Sequence, residues 1–222
     1  MIRVGILDLS GCEDLDFLAA QRLPDSIKNK IEKTQNPTEK ILRTGAYLLL
    51  YRMCGALFSS SEMPEIIYTP HGKPRFCDNN YCHFNISHDK EAVAVAISSR
   101  EVGIDIERCD LSAESAERIG KRYAEALSAI DGESGKTPEV SFSFFAVRGG
   151  EIFEAETNPH IKEDSVCDFS SRWTRLEAAL KLDGGGFASI GFIKEVAEKT
   201  SIKTVIIELG GQDFALSIAE KT

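Results

Sequence analysis

Three features of this 222-residue sequence predict an α+β protein made of two pseudo-symmetric halves. The first is a faint internal repeat. "VGILDL" at Val4 matches "VGIDIE" at Val102, and "TEKILRTGAYLLL" at Thr38 sits where "TRLEAALKL" at Thr174 sits in the second half. The second is a closing pair of β-branched runs in each half, "YCHFNIS…EAVAVAIS" and "KTVIIEL-GGQ-DFALSIA". Gly210-Gly211 marks the latter as a hairpin, because a tight two-residue turn needs positive φ. The third is length, which suffices for one large core or for two of about 110 residues each. The halves are expected at 1–99 and 100–222, joined near Ser98 to Glu101, with the active site between them.

Each half should run strand, helices, closing hairpin. After the first strand, a helix is expected from Asn36, with Asn as N-cap and Pro37 at the first helical position, carrying Arg43 toward its middle. Gly103 and its β-branched neighbours read as an interior strand. "ERIGKRYAEAL" (Glu117 to Leu127) reads as one amphipathic helix with Arg118, Lys121 and Arg122 on one side. "VSFSFFAVRGGEIFEAE" reads as two strands around Gly149-Gly150, a β-hairpin insert in the second half. Polar loops are expected at Asp131 to Glu139 and Glu156 to Ser165. The second long helix should begin near Ser170 or Ser171 and end by Gly184, since "DGGG" supplies stop residues. On it Trp173, Leu176 and Leu180 form one apolar stripe, flanked by Glu177 and Lys181 one turn apart.

Composition excludes several classes. Hydrophobic residues make up 42% and charged residues 27%, as in an ordinary globular protein, and no apolar run nears the ~20 residues of a membrane span. The opening "MIRVGILDLSGCEDLD" acquires Asp8, Glu13, Asp14 and Asp16 too early for a secretory signal. Six cysteines (Cys12, Cys54, Cys77, Cys82, Cys109, Cys167) form no C-x-x-C pair, so reduced thiols in a cytoplasm are expected. A formal charge of −9 argues against a general nucleic-acid binder, which needs a positive field over much of one face. Any phosphate must meet a local cluster of Lys, Arg and His.

The chemistry-bearing residues each have a plain explanation when taken alone. Asp105 and Glu107 alternate with Ile104 and Ile106, so the two carboxylates share a strand face roughly 7 Å apart. Like charges so placed repel unless the face is wet, a basic side chain lies between them, or a cation binds. Glu177 and Lys181 could be a helix-surface pair worth only ~0.3–0.5 kcal/mol. His88 could be a turn residue, and Gly72-Lys73-Pro74 simply a turn. A surface explanation does not predict their joint appearance in this order.

That joint pattern resembles the Sfp-type 4′-phosphopantetheinyl transferases. The family's marks stand here as "HGKPRF" (His71 to Phe76), "HFNISH" (His83 to His88), "VGIDIE" (Val102 to Glu107) and "RWTRLEAALKLDGGGF" (Arg172 to Phe187). Leu176 departs from the pattern, standing where the family usually carries Lys. The spacing between Glu107 and Glu177 is longer than in the family, and the hairpin insert accounts for the excess. The length fits the monomeric type of the family.

The resemblance implies a magnesium-dependent transfer of 4′-phosphopantetheine from coenzyme A to a serine of an apo carrier protein, with 3′,5′-ADP leaving. Asp105, Glu107 and Glu177 would hold Mg2+, which takes a few carboxylate oxygens and completes its shell with phosphate and water. Lys181 would neutralise charge on the reacting phosphates, and Glu177 or a metal-held water would take the serine proton. Lys28 or Lys30, Arg43, Lys73 with Pro74, and Ser87 with His88 would hold coenzyme A. The Arg118, Lys121 and Arg122 side of its helix would meet an acidic acyl, polyketide or peptidyl carrier. A member that binds without transferring is the alternative, favoured by Leu176 alone.

Overall fold

Alternation along β1 (Ile2–Asp8) places Ile2, Val4 and Ile6 on one face and Gly5 and Leu7 on the other, and both faces are covered. The computed structural model describes residues 1–222 apart from 13, 60–61, 79–81, 132–136, 156–157 and 163–167. Cys167 and most of the two expected polar loops lie outside the described residues. The chain continues through α1 (Asp16–Arg22), α2 (Asp25–Glu32), α3 (Pro37–Phe58), β2 (Ile66–Tyr68), β3 (Pro74–Phe76), β4 (His83–Asp89) and β5 (Ala92–Ser98). It then forms β6 (Val102–Arg108), α4 (Ala113–Arg122), α5 (Ala124–Asp131), β7 (Val140–Arg148), β8 (Glu151–Glu154) and β9 (Ile161–Lys162). The last elements are α6 (Asp168–Asp183), a 3₁₀ segment Gly186–Phe192, α7 (Ile193–Glu198), β10 (Thr200–Leu209) and β11 (Gln212–Lys221).

The start of α3 follows its cap: the Asn36 side chain accepts the Glu39 N–H at 3.1 Å, and Pro37 takes the first turn, where its missing N–H leaves no partner wanting. The end of α6 is set by Gly184, whose N–H still reaches Leu180 O at 3.1 Å and whose φ of +83° then turns the chain out of the helix. "ERIGKRYAEAL" breaks into α4 and α5 at Tyr123 instead of forming one helix. The Tyr123 ring packs 5.4 Å from Trp173 and 5.6 Å from Phe187, and that anchorage turns the backbone.

The fold is mixed α+β, layered helix, sheet, sheet, helix. The first large sheet has the order β4-β5-β1-β7-β8 and the second β6-β11-β10-β9, and β2 and β3 form a small sheet of two strands. In the first, β1 lies antiparallel beside β5 of the β4–β5 hairpin; in the second, β6 lies antiparallel beside β11 of the β10–β11 hairpin. The Gly149-Gly150 turn joins β7 to β8 as expected. Although that hairpin lies late in sequence, β7 runs parallel to β1 and extends the first sheet.

Three clusters fill the layers. Helices α1 to α3 cover the outer face of the first sheet on Leu7, Val93, Val95 and Ile97. The two sheets face each other through Ile2, Val4, Ile6 and the small Ala92, Ala94 and Ala96 on one side, and Val102, Ile104, Ile106, Leu216 and Ile218 on the other. Helices α5 to α7 cover the outer face of the second sheet, with Leu176 and Leu180 of α6 fully inside. No helix among the described residues is long and apolar enough to cross a membrane.

Candidate active site

Gly103 decides how closely α6 approaches β6. A Cβ there would run into the Ala178 carbonyl oxygen and lie 2.6 Å from Leu182 N. Only glycine permits this approach of helix to strand. Ile104 and Ile106 point into the space between the sheets, so Asp105 and Glu107 point to the α6 side. On α6, Leu176 and Leu180 are buried, which turns Glu177 and Lys181 toward β6.

Of the three ways to relieve the repulsion, a wet strand face does not apply to Asp105. The Asp105 side chain is only 2% exposed, because α6 and β4 close over it. Lys181 Nζ lies 2.5 Å from Asp105 Oδ1, 2.9 Å from Ser87 Oγ and 3.9 Å from Glu177 Oε2. Ser87 Oγ donates to Asp105 Oδ1 at 2.8 Å. A lysine between the carboxylates thus relieves part of their repulsion. Burial works against the ammonium, yet Asp105 and Glu177 outweigh it and hold its pKa above the ordinary lysine value.

For the remaining carboxyls Lys181 compensates only in part. Burial, followed by repulsion from Asp105, Asp89 and Glu177, pushes Glu107 up to about 8. Burial and Asp105 push Glu177 up to about 7, although the Trp173 side chain hydrogen-bonds to it. Asp105 Oδ2 is buried with no hydrogen-bond partner. Among the described residues no three His, Cys, Asp or Glu side chains are grouped so that they could hold a metal ion. The orphaned Asp105 Oδ2 is the one feature here that suits a hard cation, and a cation bound beside it would favour the ionised forms of Glu107 and Glu177.

β6 is an edge strand, not the interior strand expected from its residues. Its free N–H groups are taken by side chains at alternate positions of β4. Ile104 N–H donates to Asn85 Oδ1 at 2.9 Å, Ile106 N–H to Ser87 Oγ at 3.4 Å and Arg108 N–H to Asp89 Oδ2 at 2.8 Å. This side-chain ladder joins the two sheets and explains how an edge strand can be buried.

The residues expected to hold coenzyme A divide by position. His88 Nε2 lies 3.7 Å from Glu39 Oε1, which also accepts from Arg43 Nε at 2.7 Å, so His88 and Arg43 meet over one carboxylate. Burial lowers the His88 pKa. Lys30 Nζ lies 3.2 Å from the centre of the Tyr68 ring, and Tyr68 is hydrogen-bonded to Tyr47 of α3 at 2.9 Å. Lys28 instead pairs with Asp25 at 2.7 Å. The Lys73 ammonium, just before Pro74, donates to Val102 O and Leu182 O, tying the β2–β3 turn to β6 and the end of α6. Burial pushes its pKa down to about 8. On α4, Lys121 pairs with Glu117 at 2.6 Å, and Arg122 lies 5.3 Å from the centre of the Tyr123 ring.

Sequence inspection missed Asn85, Asp89, Glu39 and the polar function of Trp173. The N-x-S-x-D alternation was a visible signal for the first two, since a period of two puts them on the Ser87 side of one strand. Glu39 lay hidden as an ordinary first-turn acidic residue.

No family model matches the chain. It is 34% identical over 91 residues to the 4′-phosphopantetheinyl transferase AcpT of Escherichia coli (strain K12), covering 40% of this chain and 42% of that protein. It is 28% identical over 169 residues to the protein of the same name from Salmonella typhi, covering 76% of this chain and 70% of the relative. A match of 40% identity over 60 residues joins it to the uncharacterized protein YieE of Escherichia coli (strain K12), spanning 24% of that protein. The chain thus spans less than half the length of both Escherichia coli relatives. It is similar to 4′-phosphopantetheinyl transferases.

Proposed function

We propose that this chain is an Sfp-type 4′-phosphopantetheinyl transferase that moves the 4′-phosphopantetheine of coenzyme A onto a serine of an apo carrier protein and releases 3′,5′-ADP. The observation that carries this is that β6 and α6 bring Asp105, Glu177 and Lys181 together, with Glu107 near enough to feel their charges, while Asp105 Oδ2 stays buried and unpartnered. One buried and two half-buried carboxylates so close together destabilise a fold unless a cation or a proton joins them. Mg2+ bound there would polarise the pyrophosphate and offset the charge that builds up as its P–O bond breaks.

The chain's own groups supply the rest. Glu177 or a metal-held water would accept the serine proton as the new O–P bond forms. Lys181 offers a preorganised ammonium to the phosphate oxygens. Arg43, His88 and Lys30, gathered on the α3 side, are the nucleotide contacts, and the Glu39 pairing aims the first two. Lys28 and Lys73 with Pro74 act on the cofactor through the elements they hold in place, and Ser87 acts in the site itself, through its hydrogen bonds to Asp105 and Lys181. Arg118 and Lys121 of α4, with the half-exposed Leu111 and Phe187 nearby, suit an acidic carrier surface. The protein would act as a cytoplasmic monomer.

The same reading makes 1–99 and 100–222 two pseudo-symmetric halves, with β7–β8 as an insert. The equivalent strand orders β4-β5-β1 and β10-β11-β6 support this. So do the equivalent glycines Gly5 and Gly103, each lying under its half's long helix; a Cβ on Gly5 would meet Met53 Sδ of α3 at 2.5 Å.

The test is to incubate the protein with coenzyme A, Mg2+ and a panel of apo carriers from fatty-acid, polyketide and peptide synthesis, and to read intact mass. One phosphopantetheine should be added to at least one carrier, and Asp105→Ala and Glu107→Ala should abolish the addition. No mass gain on any carrier, or full activity in either variant, overturns the assignment.

A further inference from the structure

We infer that Asn85 and Asp89 are positioning residues that set the β6 carboxylates from the opposite sheet. The functional part of this inference rests on the transferase reading. The geometric part stands by itself.

β6 pairs its backbone with β11 on one edge only. Its other edge presents the N–H groups of Ile104, Ile106 and Arg108 to β4, and Ile104 and Ile106 are fully buried there. A buried donor without an acceptor is costly, so these three groups must find partners. β4, itself an edge strand, pairs its backbone with β5 and not with β6, and it is its side chains that reach the free N–H groups. Asn85, Ser87 and Asp89, two residues apart, match the repeat of the free N–H groups on β6.

Asp105 and Glu107 sit between these rungs, so each carboxylate projects from a residue fixed on both sides. The middle rung, Ser87, touches Asp105 and Lys181 directly and is part of the site. Asn85 Oδ1 and Asp89 Oδ2 go to the main chain of β6 and so act through the strand, while the charge of Asp89 also bears on Glu107 directly. The strand that bears the carboxylates therefore takes its position from one sheet by backbone pairing and from the other by side chains. Loss of an outer rung should let β6 shift against α6 and spread the oxygen donors.

The experiment uses the full metal-free chain and the variants Asn85→Ala, Asp89→Ala and Asp89→Asn. Amide exchange by NMR and Mn2+ affinity by electron paramagnetic resonance are measured. The Ile104 amide should exchange about tenfold faster in Asn85→Ala, and the Arg108 amide about tenfold faster in Asp89→Ala, with the β10–β11 amides unchanged. Mn2+ affinity should fall by roughly three- to tenfold in both alanine variants. Asp89→Asn loses the same charge as Asp89→Ala but keeps an acceptor oxygen. It should keep the Arg108 protection and bind Mn2+ several-fold more tightly than the alanine variant.

Unchanged amide exchange in the alanine variants overturns the ladder. Faster exchange with unaltered Mn2+ affinity, or Asp89→Asn as weak as Asp89→Ala, overturns the positioning role. Should Asn85→Ala fail to fold, the Asp89 pair at the partly exposed strand end decides the matter. Failure of the wild type to modify any carrier would count against the transferase alone, because neither readout depends on turnover.

Discussion

Lys181 neutralises Asp105 and, in the proposed reaction, also meets the phosphate, and removing it separates these two effects. Without the ammonium, Asp105 stays almost wholly buried beside Glu107 and Glu177 with no opposite charge, a costly arrangement. Lys181→Ala should therefore melt at a lower temperature than wild type in EDTA. Mg2+ should raise the melting temperature of the variant more than that of wild type, since a bound cation replaces the missing charge beside Asp105. Equal shifts would place the cation elsewhere. In single-turnover assays the same variant should transfer about a hundredfold more slowly, the usual effect of losing one preorganised donor. The sequence showed Lys181 one turn from Glu177. It gave no sign that Asp105 would claim the ammonium at closer range than Glu177 does.

At the level of elements, the contact of α6 with β6 controls the site. The apolar stripe of α6 was legible because Trp173, Leu176 and Leu180 follow the helical period. The reason for Gly103 was not, because an added Cβ meets backbone atoms of Ala178 and Leu182 more than seventy positions later in the chain. Gly103→Ala should cost about 1–3 kcal/mol or more, as expected when an overpacked core cannot relax by moving a side chain, and should abolish transfer by lifting Glu177 and Lys181 away from β6. Gly191→Ala, with open space around its Cβ and no positive φ, serves as the control and should leave stability and transfer nearly unchanged. Urea denaturation of both variants checks this; similar midpoints would mean that α6 has more freedom than its packing indicates.

For the whole molecule, the buried carboxyls couple stability to pH. Glu107 at about 8 and Glu177 at about 7 lie above the ordinary value of 4.5. Burial is the main cause, and neighbouring carboxylates add to it. The folded chain therefore holds these protons more tightly than the unfolded chain does. The stability of the metal-free protein should fall as pH rises from about 4.5 to about 8 through these two groups. A cation favours the ionised forms, so the gain in melting temperature from Mg2+ over EDTA should be larger at about pH 8 than at about pH 6. Calorimetric melts across that range test it, and a gain independent of pH would remove Glu107 and Glu177 from the cation's surroundings.

By itself the sequence determined what is periodic or local. The caps at Asn36 and Gly184 and the glycine turns at 149–150 and 210–211 follow from backbone sterics within a few residues. The alternation of Ile104 and Ile106 with Asp105 and Glu107 follows from the pleat of one strand. Only the tertiary structure decided that β6 would be a buried edge strand, because its missing partners are the side chains of Asn85, Ser87 and Asp89 on another sheet. The same holds for Lys73, whose ammonium is claimed by carbonyls of β6 and α6, and for β7, which joins β1 although it comes well over a hundred residues later. Contacts of such long sequence separation depend on how the layers stack, and that stacking is settled by the fit of small residues such as Gly103 and Ala92 against surfaces that no local pattern reveals.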